Sequence, residues 1–345
     1  MLAKLRLKDF RNFSDRVIEF SPKTSVVLGA NATGKTNILE AINLLATGKS
    51  FKANKNEEMI AYDEQIARVK GKLDNDILEV ILTRGVITQG NVTKKTAKKR
   101  LLVNDAGKRI TDFASHFQTV VFRPQDMDLV TQSPSIRRKF LDNVLSLSDR
   151  EYYRSLLAYE KGLTRRNKFL IKIREEEIDP KVLTFWDNLL IKNGEYISRT
   201  RADFISFVNL SDQFDEKELQ LEYDSSAVTE ARFEQYRQAE VASGTTLVGP
   251  HRDDIIFRLD GRELDAYGSR GEQRMGVLWV KLAELDYLEE KKDARPTLLL
   301  DDIFSELDHR HRELIEQVLP KQQTIITAAD PHYVEGLSDV EIIGL

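Results

Sequence analysis

The 345-residue chain has no cysteine, which excludes disulfides and thiolate-held metals. Histidine is almost as scarce: five residues, scattered and without paired spacing, give no basis for a zinc site. No apolar run approaches the roughly 20 residues of a membrane span. The opening Met1-Leu2-Ala3-Lys4-Leu5-Arg6 leads into charge rather than into the apolar core of a signal segment. These absences predict a soluble, cytoplasmic protein with no membrane partner. Charge of one sign is lacking too. The 52 Lys and Arg against 56 Asp and Glu leave a net charge of −4, so any contact with nucleic acid must be a local patch. What the chain does have is 41% hydrophobic residues, enough over this length to build the cores of two or three domains.

The sharpest local signal is Gly29-Ala30-Asn31-Ala32-Thr33-Gly34-Lys35-Thr36, set between apolar Ser25-Val26-Val27-Leu28 and a helical pattern from Asn37 to Leu45. Strand, glycine-bounded loop and helix in that order make a phosphate-binding loop. Glycines let successive backbone N–H groups turn toward an anion, and the helix adds its positive end. Lys35 is expected on the β- and γ-phosphates of a nucleotide, and the Thr36 hydroxyl on a magnesium ion bridging them. Gly29, Asn31, Ala32, Thr33, Gly34, Lys35, Thr36 and Asn37 are thus candidate nucleotide-binding residues.

Two further blocks point to the same chemistry. Thr297-Leu298-Leu299-Leu300-Asp301-Asp302 is an apolar strand ending in two carboxylates, followed by Ser305-Glu306-Leu307-Asp308 opening a helix. Adjacent carboxylates repel unless a cation shares their site. Asp301 is expected to hold magnesium, and Asp302 to orient or activate the attacking water. A helix-capping role for Ser305 is compatible with this. The third block, Tyr267-Gly268-Ser269-Arg270-Gly271-Glu272-Gln273-Arg274, brings backbone N–H groups, a hydroxyl and a helix N-terminus to one point, 233 residues after Thr36. It is a second anion-seeking element.

Elsewhere the chain reads coarsely. Leu2 to Leu7 and Arg16 to Phe20 alternate like strands joined through Asn12-Phe13-Ser14-Asp15. Ala67–Leu73 and Ile77–Thr83 suggest a hairpin around Asp74-Asn75-Asp76. Leu101-Leu102-Val103 and Arg109-Ile110 suggest another around Asn104-Asp105-Ala106-Gly107. From Ser135 to Leu210, apolar residues such as Phe185, Leu189, Ile197, Phe204 and Phe207 recur at helical spacing. The densest cationic run is Thr93 to Arg100, with Lys94, Lys95, Lys98, Lys99 and Arg100, trailed by Lys108 and Arg109. A DNA contact and a solvated loop are equally good readings of it. A second set, Arg165, Arg166, Lys168, Lys172 and Arg174, reads more readily as a charged helix face.

Together the three blocks resemble the phosphate loop, signature motif and acidic strand of ABC-type ATPases. More narrowly, the chain resembles the RecF family, recombination-mediator ATPases related to the SMC proteins. The matching stretches are Leu7-Lys8-Asp9-Phe10-Arg11-Asn12, Thr36-Asn37-Ile38-Leu39-Glu40-Ala41, Phe122-Arg123-Pro124-Gln125-Asp126, Ser133 to Asp142, Gly249-Pro250-His251-Arg252-Asp253-Asp254 and Leu300 to Asp308. The resemblance implies an α/β ABC-type P-loop ATPase head of mixed sheets flanked by helices, with an inserted, mainly helical lobe. The implied division is residues 1–130 and 241–345 for the head and 131–240 for the lobe. ATP would sit between two protomers of an ATP-dependent homodimer, the loop of one facing Ser269, Arg270 and Gly271 of the other. Arg11 and Asn12 would lie near the nucleotide, Gln125 would reach magnesium or the attacking water, and Asp308 would couple the two sites. The implied function is ATP-dependent binding of single-stranded, double-stranded or gapped DNA in replication, recombinational repair and the SOS response, promoting recombinase loading, with weak DNA-dependent ATP hydrolysis. RecR and RecO are the implied partners.

Three departures from the family pattern stand out. Arg270 and Glu272 replace customary glutamines, so Arg270 either binds phosphate or pairs with Glu272. Thr327-Ala328-Ala329-Asp330 lacks both the histidine of ABC proteins and the run of hydroxyls usual in RecF. Ala32 stands where a glycine is common. Among competing functions, a transporter ATPase lacks so large an insert, and an SMC head needs long heptad arms that Ser135 to Leu210 cannot supply. A nuclease needs its own acidic cluster, for which Asp253-Asp254 is the candidate.

Overall fold

Hydrophobic residues recur at every second position early in the chain and at every third or fourth in its middle, and the elements change type accordingly. The computed structural model describes residues 1–89, 92–213 and 217–345. The chain opens with β1 (Leu2–Phe10), β2 (Phe13–Glu19), β3 (Thr24–Leu28) and α1 (Lys35–Thr47). It continues through β4 (Ile66–Leu73), β5 (Ile77–Thr83), β6 (Val86–Gln89), β7 (Val92–Lys95), β8 (Lys99–Val103), β9 (Ala106–Gly107), the single turn α2 (Ile110–Phe113) and β10 (Thr119–Phe122). The middle holds α3 (Pro134–Ser148), α4 (Arg150–Glu176), α5 (Thr184–Asn209), β11 (Leu219–Asp224), α6 (Glu230–Ser243), β12 (Asp254–Leu259), β13 (Arg262–Glu263), α7 (Leu264–Tyr267) and α8 (Arg270–Lys292). It closes with β14 (Thr297–Asp301), α9 (His309–Val318), β15 (Thr324–Ala328) and β16 (Val340–Gly344). Among the described residues no helix is long and apolar enough to cross a membrane.

The chain forms two compact units, Met1–Asp126 with Asp293–Leu345, and Met127–Lys292. In the first, β2-β1-β4-β5-β8-β9 make a six-stranded antiparallel sheet. Its inner face carries Leu5, Leu7, Val69, Val80 and Leu82, all fully buried, while Lys4, Arg6 and Lys8 of β1 are exposed. A second, parallel sheet runs β10-β14-β15-β3-β16. Its central strands are buried along nearly their whole length, with apolar middles, as expected of a sheet covered on both faces. Helix α1 shares one core with both sheets, through Ile38, Leu39, Ile42 and Leu45 against Leu5, Val69, Leu299 and Ile325. Gly71 permits that approach, because a Cβ there would meet Leu45 Cδ1 at 2.6 Å.

In the second unit α4 and α5 pack side by side, and β11-β12-β13 form a small antiparallel sheet beside them. Tyr287 of α8 packs edge-on against Phe204 and Phe207 of α5 at ring distances of 4.9 and 5.2 Å. These units divide the chain at other places than the expected 130 and 240. Residues 241–292 group with the helical residues rather than with the strands that follow them, because β12 needs β11 as a partner and α8 needs the aromatic face of α5.

Smaller expectations also shift. The return strand after β8 is Ala106–Gly107, and Arg109-Ile110 starts α2. Asn104 and Asp105 both take positive φ, the tight-turn conformation that fixes this register. Phe185 is 65% exposed in the first turn of α5, whereas Ile197 and Phe204 are fully buried.

The two cationic sets are largely dispersed. Lys98 pairs with Glu57 at 2.6 Å, and half-buried Lys99 donates to the Gly48 carbonyl at 2.8 Å, burial lowering its pKa. Lys94 and Lys95 stay exposed on β7. On α4, Arg166 is fully buried, held by Asp187 and Glu240 at 2.7 Å each and lying 4.1 Å over the Phe233 ring. It belongs to the core of its unit and presents no charge to solvent.

Candidate functional site: a phosphate loop at a sheet edge

Parallel strands bring their carboxyl ends to one edge. In the first unit the pairing of β10, β14, β15 and β3 therefore places Gln125, Asp301-Asp302, Thr327 and the Gly29–Gly34 loop along the same edge of the sheet. The loop is built as its sequence requires. Gly34 has φ 109°, and a Cβ there would meet both amide atoms of Asn12 at 2.7 Å. Ala32 takes φ 68°, a left-handed conformation that costs an alanine about 1 kcal/mol and a glycine nothing.

The buried Lys35 folds back into the loop, its Nζ donating to the carbonyls of Gly29 (2.7 Å) and Ala30 (2.9 Å). Thr36 donates its hydroxyl to Asp301 Oδ1 at 2.9 Å, joining the loop to the acidic strand 265 residues further on. Thr327 donates to the same Oδ1 at 2.9 Å and accepts from the Asp302 N–H at 3.0 Å. Its hydroxyl thus braces the acidic pair. Burial pushes the Asp302 carboxyl above the ordinary range, the positive charge of Lys35 opposes the rise, and Asp301 adds to it. A carboxylate so placed has the raised basicity that suits it to take a proton from water.

Asn12 is a fastener of the loop. Its Nδ2 donates to the Thr33 carbonyl at 2.8 Å, and its Oδ1 accepts from Asn37 Nδ2 at 2.9 Å. Arg11 is held mainly by the fully buried Glu40, through Nε at 2.8 Å and a terminal nitrogen at 2.6 Å, and its other nitrogen donates to the Glu58 carbonyl at 2.6 Å. Both residues line an open pocket of about 480 Å³ with Ile60, Tyr62 and Arg84. Tyr62 is 93% exposed, and Arg84 is fixed by the carbonyls of Ala61, Tyr62 and Glu64. Sequence reasoning missed these last three residues, which lie in no motif. Only an exposed aromatic shortly after the loop could have drawn attention to them.

Gln125 is exposed just beyond β10, in a turn closed by Arg123 and Asp126 at 2.6 Å. Asp308 caps α9, accepting from the His311 N–H at 3.0 Å and facing His311 Nδ1 at 2.7 Å. These contacts, the backbone N–H first, hold its carboxyl below the usual range. Ser305 does not cap that helix. It lies in a preceding 3-10 turn and donates to the Asp302 carbonyl at 2.7 Å.

Ser269, Arg270 and Gly271 belong to the second unit, at the start of α8. Ser269 and Glu272 form a capping box: Glu272 Oε2 accepts from the Ser269 N–H (2.8 Å) and hydroxyl (2.9 Å), and Ser269 Oγ accepts from the Glu272 N–H (3.3 Å). The other oxygen of Glu272 binds Lys217, and these contacts, Lys217 foremost, hold its pKa at about 2. Of the two options for Arg270, pairing with Glu272 is therefore not adopted. The nuclease candidate fails in the same unit. Asp253 is fully buried against Arg201, Tyr223 and the Ser226 N–H, and Asp254 pairs with Arg137 at 2.6 Å.

A magnesium ion prefers hard oxygen ligands in small number, the rest coming from phosphate and water. The Thr36 hydroxyl and Asp301 carboxylate, 2.9 Å apart, are such a pair. Among the described residues no group of three or more His, Cys, Asp or Glu side chains offers a self-sufficient metal cage.

A glycine-bounded loop between a parallel strand and a helix, closed by an acidic strand from the far end of the chain, defines a P-loop ATPase head of the ABC type. The family model for the RecF/RecN/SMC N-terminal domain matches residues 1–343. The DNA replication and repair protein RecF of Herpetosiphon aurantiacus is 35% identical, over 95% of this chain and 93% of its own. That of Ligilactobacillus salivarius is 34% identical, over 98% and 92%. Among solved structures, the recombination mediator protein RecF-ATPrS in the RecFOR pathway superposes with a TM-score of 0.88 and 31% identity, covering 100% of this chain and 96% of that one. An SMC head bound to the C-terminal winged-helix domain of ScpA, at TM-score 0.52 and 16% identity, shares the fold alone. The chain belongs to the RecF family of DNA replication and repair proteins.

Proposed function

We propose that the protein binds ATP with magnesium at Gly29–Thr36 and Asp301, dimerises as a consequence, and in that state holds gapped or double-stranded DNA for recombinase loading. The observation that carries this reading is the 2.9 Å contact of Thr36 with Asp301, which unites the phosphate loop and the acidic strand in one oxygen-lined site. Solved relatives described as RecF-ATPrS and RecF-ATP in the RecFOR pathway support ATP as the nucleotide, and RecO and RecR as partners. The open pocket with Arg11, Asn12 and exposed Tyr62 suits the nucleoside end of the ligand.

In this reading Lys35 leaves the Gly29 and Ala30 carbonyls for the β- and γ-phosphates, and the loop N–H groups supply the remaining donors. Bound magnesium contributes charge neutralisation at those phosphates. Asp302 takes a proton from the attacking water, Gln125 orients it, and the bond from the γ-phosphorus to the bridging oxygen breaks to give ADP and phosphate. Ser269, Arg270 and Gly271 of a second copy complete the site, where donors aimed at developing charge are each worth about 3 to 4 kcal/mol. Such a protein works in the cytoplasm.

Light scattering without nucleotide, with ADP and with ATP tests the reading, with and without a gapped duplex. A dimer is expected with ATP alone, tightened by DNA and absent in Lys35→Ala. A monomer under every condition, or a Lys35→Ala variant that dimerises and binds DNA like the wild type, refutes it.

A further inference from the structure

The cationic run singled out by sequence is partly consumed in internal contacts, yet the fold assembles another that no contiguous stretch reveals. Along β1 the outward positions are Lys4, Arg6 and Lys8, and along β4 they are Arg68, Lys70 and Lys72. The antiparallel register sets these six directly opposite one another, as Lys4 with Lys72, Arg6 with Lys70 and Lys8 with Arg68. Like charges placed so are destabilising. Three of the six are answered by carboxylates: Lys4 by Glu19, Arg6 by Asp15 and Arg68 by Glu79, at 2.9, 2.7 and 2.9 Å. Lys8, Lys70 and Lys72 form no ion pair within 4 Å among the described residues, although Lys8 stands across from Asp15 and half-buried Lys70 across from Glu79, carboxylates already engaged by Arg6 and Arg68; exposed Arg100 on β8 continues the face across Ile81. In a chain of net charge −4, this is a concentration of positive charge that composition does not predict.

We infer that this outer sheet face is the seat of the DNA phosphate backbone, an assignment that rests on the DNA binding proposed above. Alternate residues on a strand stand about 7 Å apart and neighbouring strands about 5 Å, so the three cross-strand rows span roughly 14 Å. A duplex presents one negative charge per about 1.7 Å of axis, so about eight charges pass over that length. The composition of the face decides between partners. Lysine, depleted at protein–protein interfaces, supplies four of the six cations, and no aromatic anchor stands among them. Phosphate contacts need only such mobile point charges.

The test is the salt dependence of binding to a fluorescein-labelled gapped duplex in the presence of ATP, read by anisotropy. A Lys8→Gln/Lys70→Gln/Lys72→Gln variant should lower the slope of log affinity against log salt by up to about 2.7, at about 0.9 per phosphate contact. It should keep its affinity for a fluorescent ATP analogue. Its melting temperature should hold or rise, because the substitutions relieve repulsion, so failure to fold does not confuse the result. Lys94→Gln/Lys95→Gln on the β6–β7 hairpin should leave the slope nearly unchanged. A wild-type slope in the triple variant, with DNA still bound, overturns the assignment while DNA binding itself stands. Loss of polyglutamate binding with an unaltered DNA slope overturns it in favour of an acidic protein partner. A wild-type protein that binds no DNA in any nucleotide state removes both.

Discussion

Replacing Asn12 by alanine separates two ways in which that residue could serve nucleotide binding. The amide of Asn12 spans the loop, giving one hydrogen bond to the Thr33 carbonyl and taking one from Asn37. Each is worth about 1 kcal/mol net, so removing both costs about 2 kcal/mol of loop order. If that order must be restored each time a nucleotide binds, affinity falls by roughly 30-fold. Because the fastening precedes the ligand, ATP and ADP should lose alike. Asn12→Asp, which keeps the acceptor for Asn37 and loses the donor to Thr33, should fall between alanine and the wild type. Titration with fluorescent ATP and ADP analogues reads all of these values. A loss confined to ATP would mean that Asn12 acts on the terminal phosphate directly, and unchanged affinity for both would refute any role for its amide in shaping the loop.

Further outcomes follow from the second unit, whose unfolding can be followed by fluorescence because both tryptophans, Trp186 and Trp279, lie within it. Burial pushes the His251 imidazole down to about 4, so the unfolded chain takes up a proton near pH 6.5 that the folded one refuses, and stability falls by about 3 kcal/mol as pH drops from about 6.5 to 4. His251→Gln should flatten that dependence in urea titrations at several pH values, and an equal loss in both proteins would refute it. Arg166→Ala strands Glu240 in the core and should cost about 3 to 5 kcal/mol. Lys172→Ala on the same helix should change unfolding by no more than about 0.5 kcal/mol, and similar effects of the two would sink the assignment of Arg166 to the core. Glu272→Gln should weaken the grip on Ser269 and lower the ATP concentration at which dimers form in light scattering. No change would show that the capping box does not compete with phosphate.

What was legible in the sequence was what lies contiguous in it. The loop needs only glycines, Lys35 and Thr36 in order, and β1, β4 and β5 need only their alternation. Residues whose roles depend on distant partners were not legible. Arg166 reads like any cation on a helix until Glu240, 74 residues later, is folded against it. Lys98 and Lys99 look like a patch until Glu57 and the Gly48 carbonyl are brought to them. The pairing of β11 with β12 moved a whole segment, including α8, from one expected unit to the other. Thr327 could be picked out as the remaining hydroxyl after β15, but that it points at Asp301 follows from strand register alone.

The departures at the start of α8 make physical sense when taken together. A helix N-terminus favours negative charge and disfavours positive, so Glu272 in its first turn is at home there and Arg270 is not. Glu272 divides its two oxygens, one to both donors of Ser269 and one to Lys217. A phosphate bound at Ser269 as proposed above would therefore compete with Oε2 alone, and Glu272 would yield those donors while Lys217 still held its charge. The cost of release is that of a helix cap, about 1 kcal/mol, rather than that of stranding a carboxylate. Arg270, exposed beside it, is a cation placed against the helix dipole, a position that becomes favourable once an anion is present. Arg270 and Glu272 together add no net charge to the start of α8. In the ATP-bound dimer proposed above, a phosphate at Ser269 would meet donors that Glu272 now closes, with the Arg270 cation beside them.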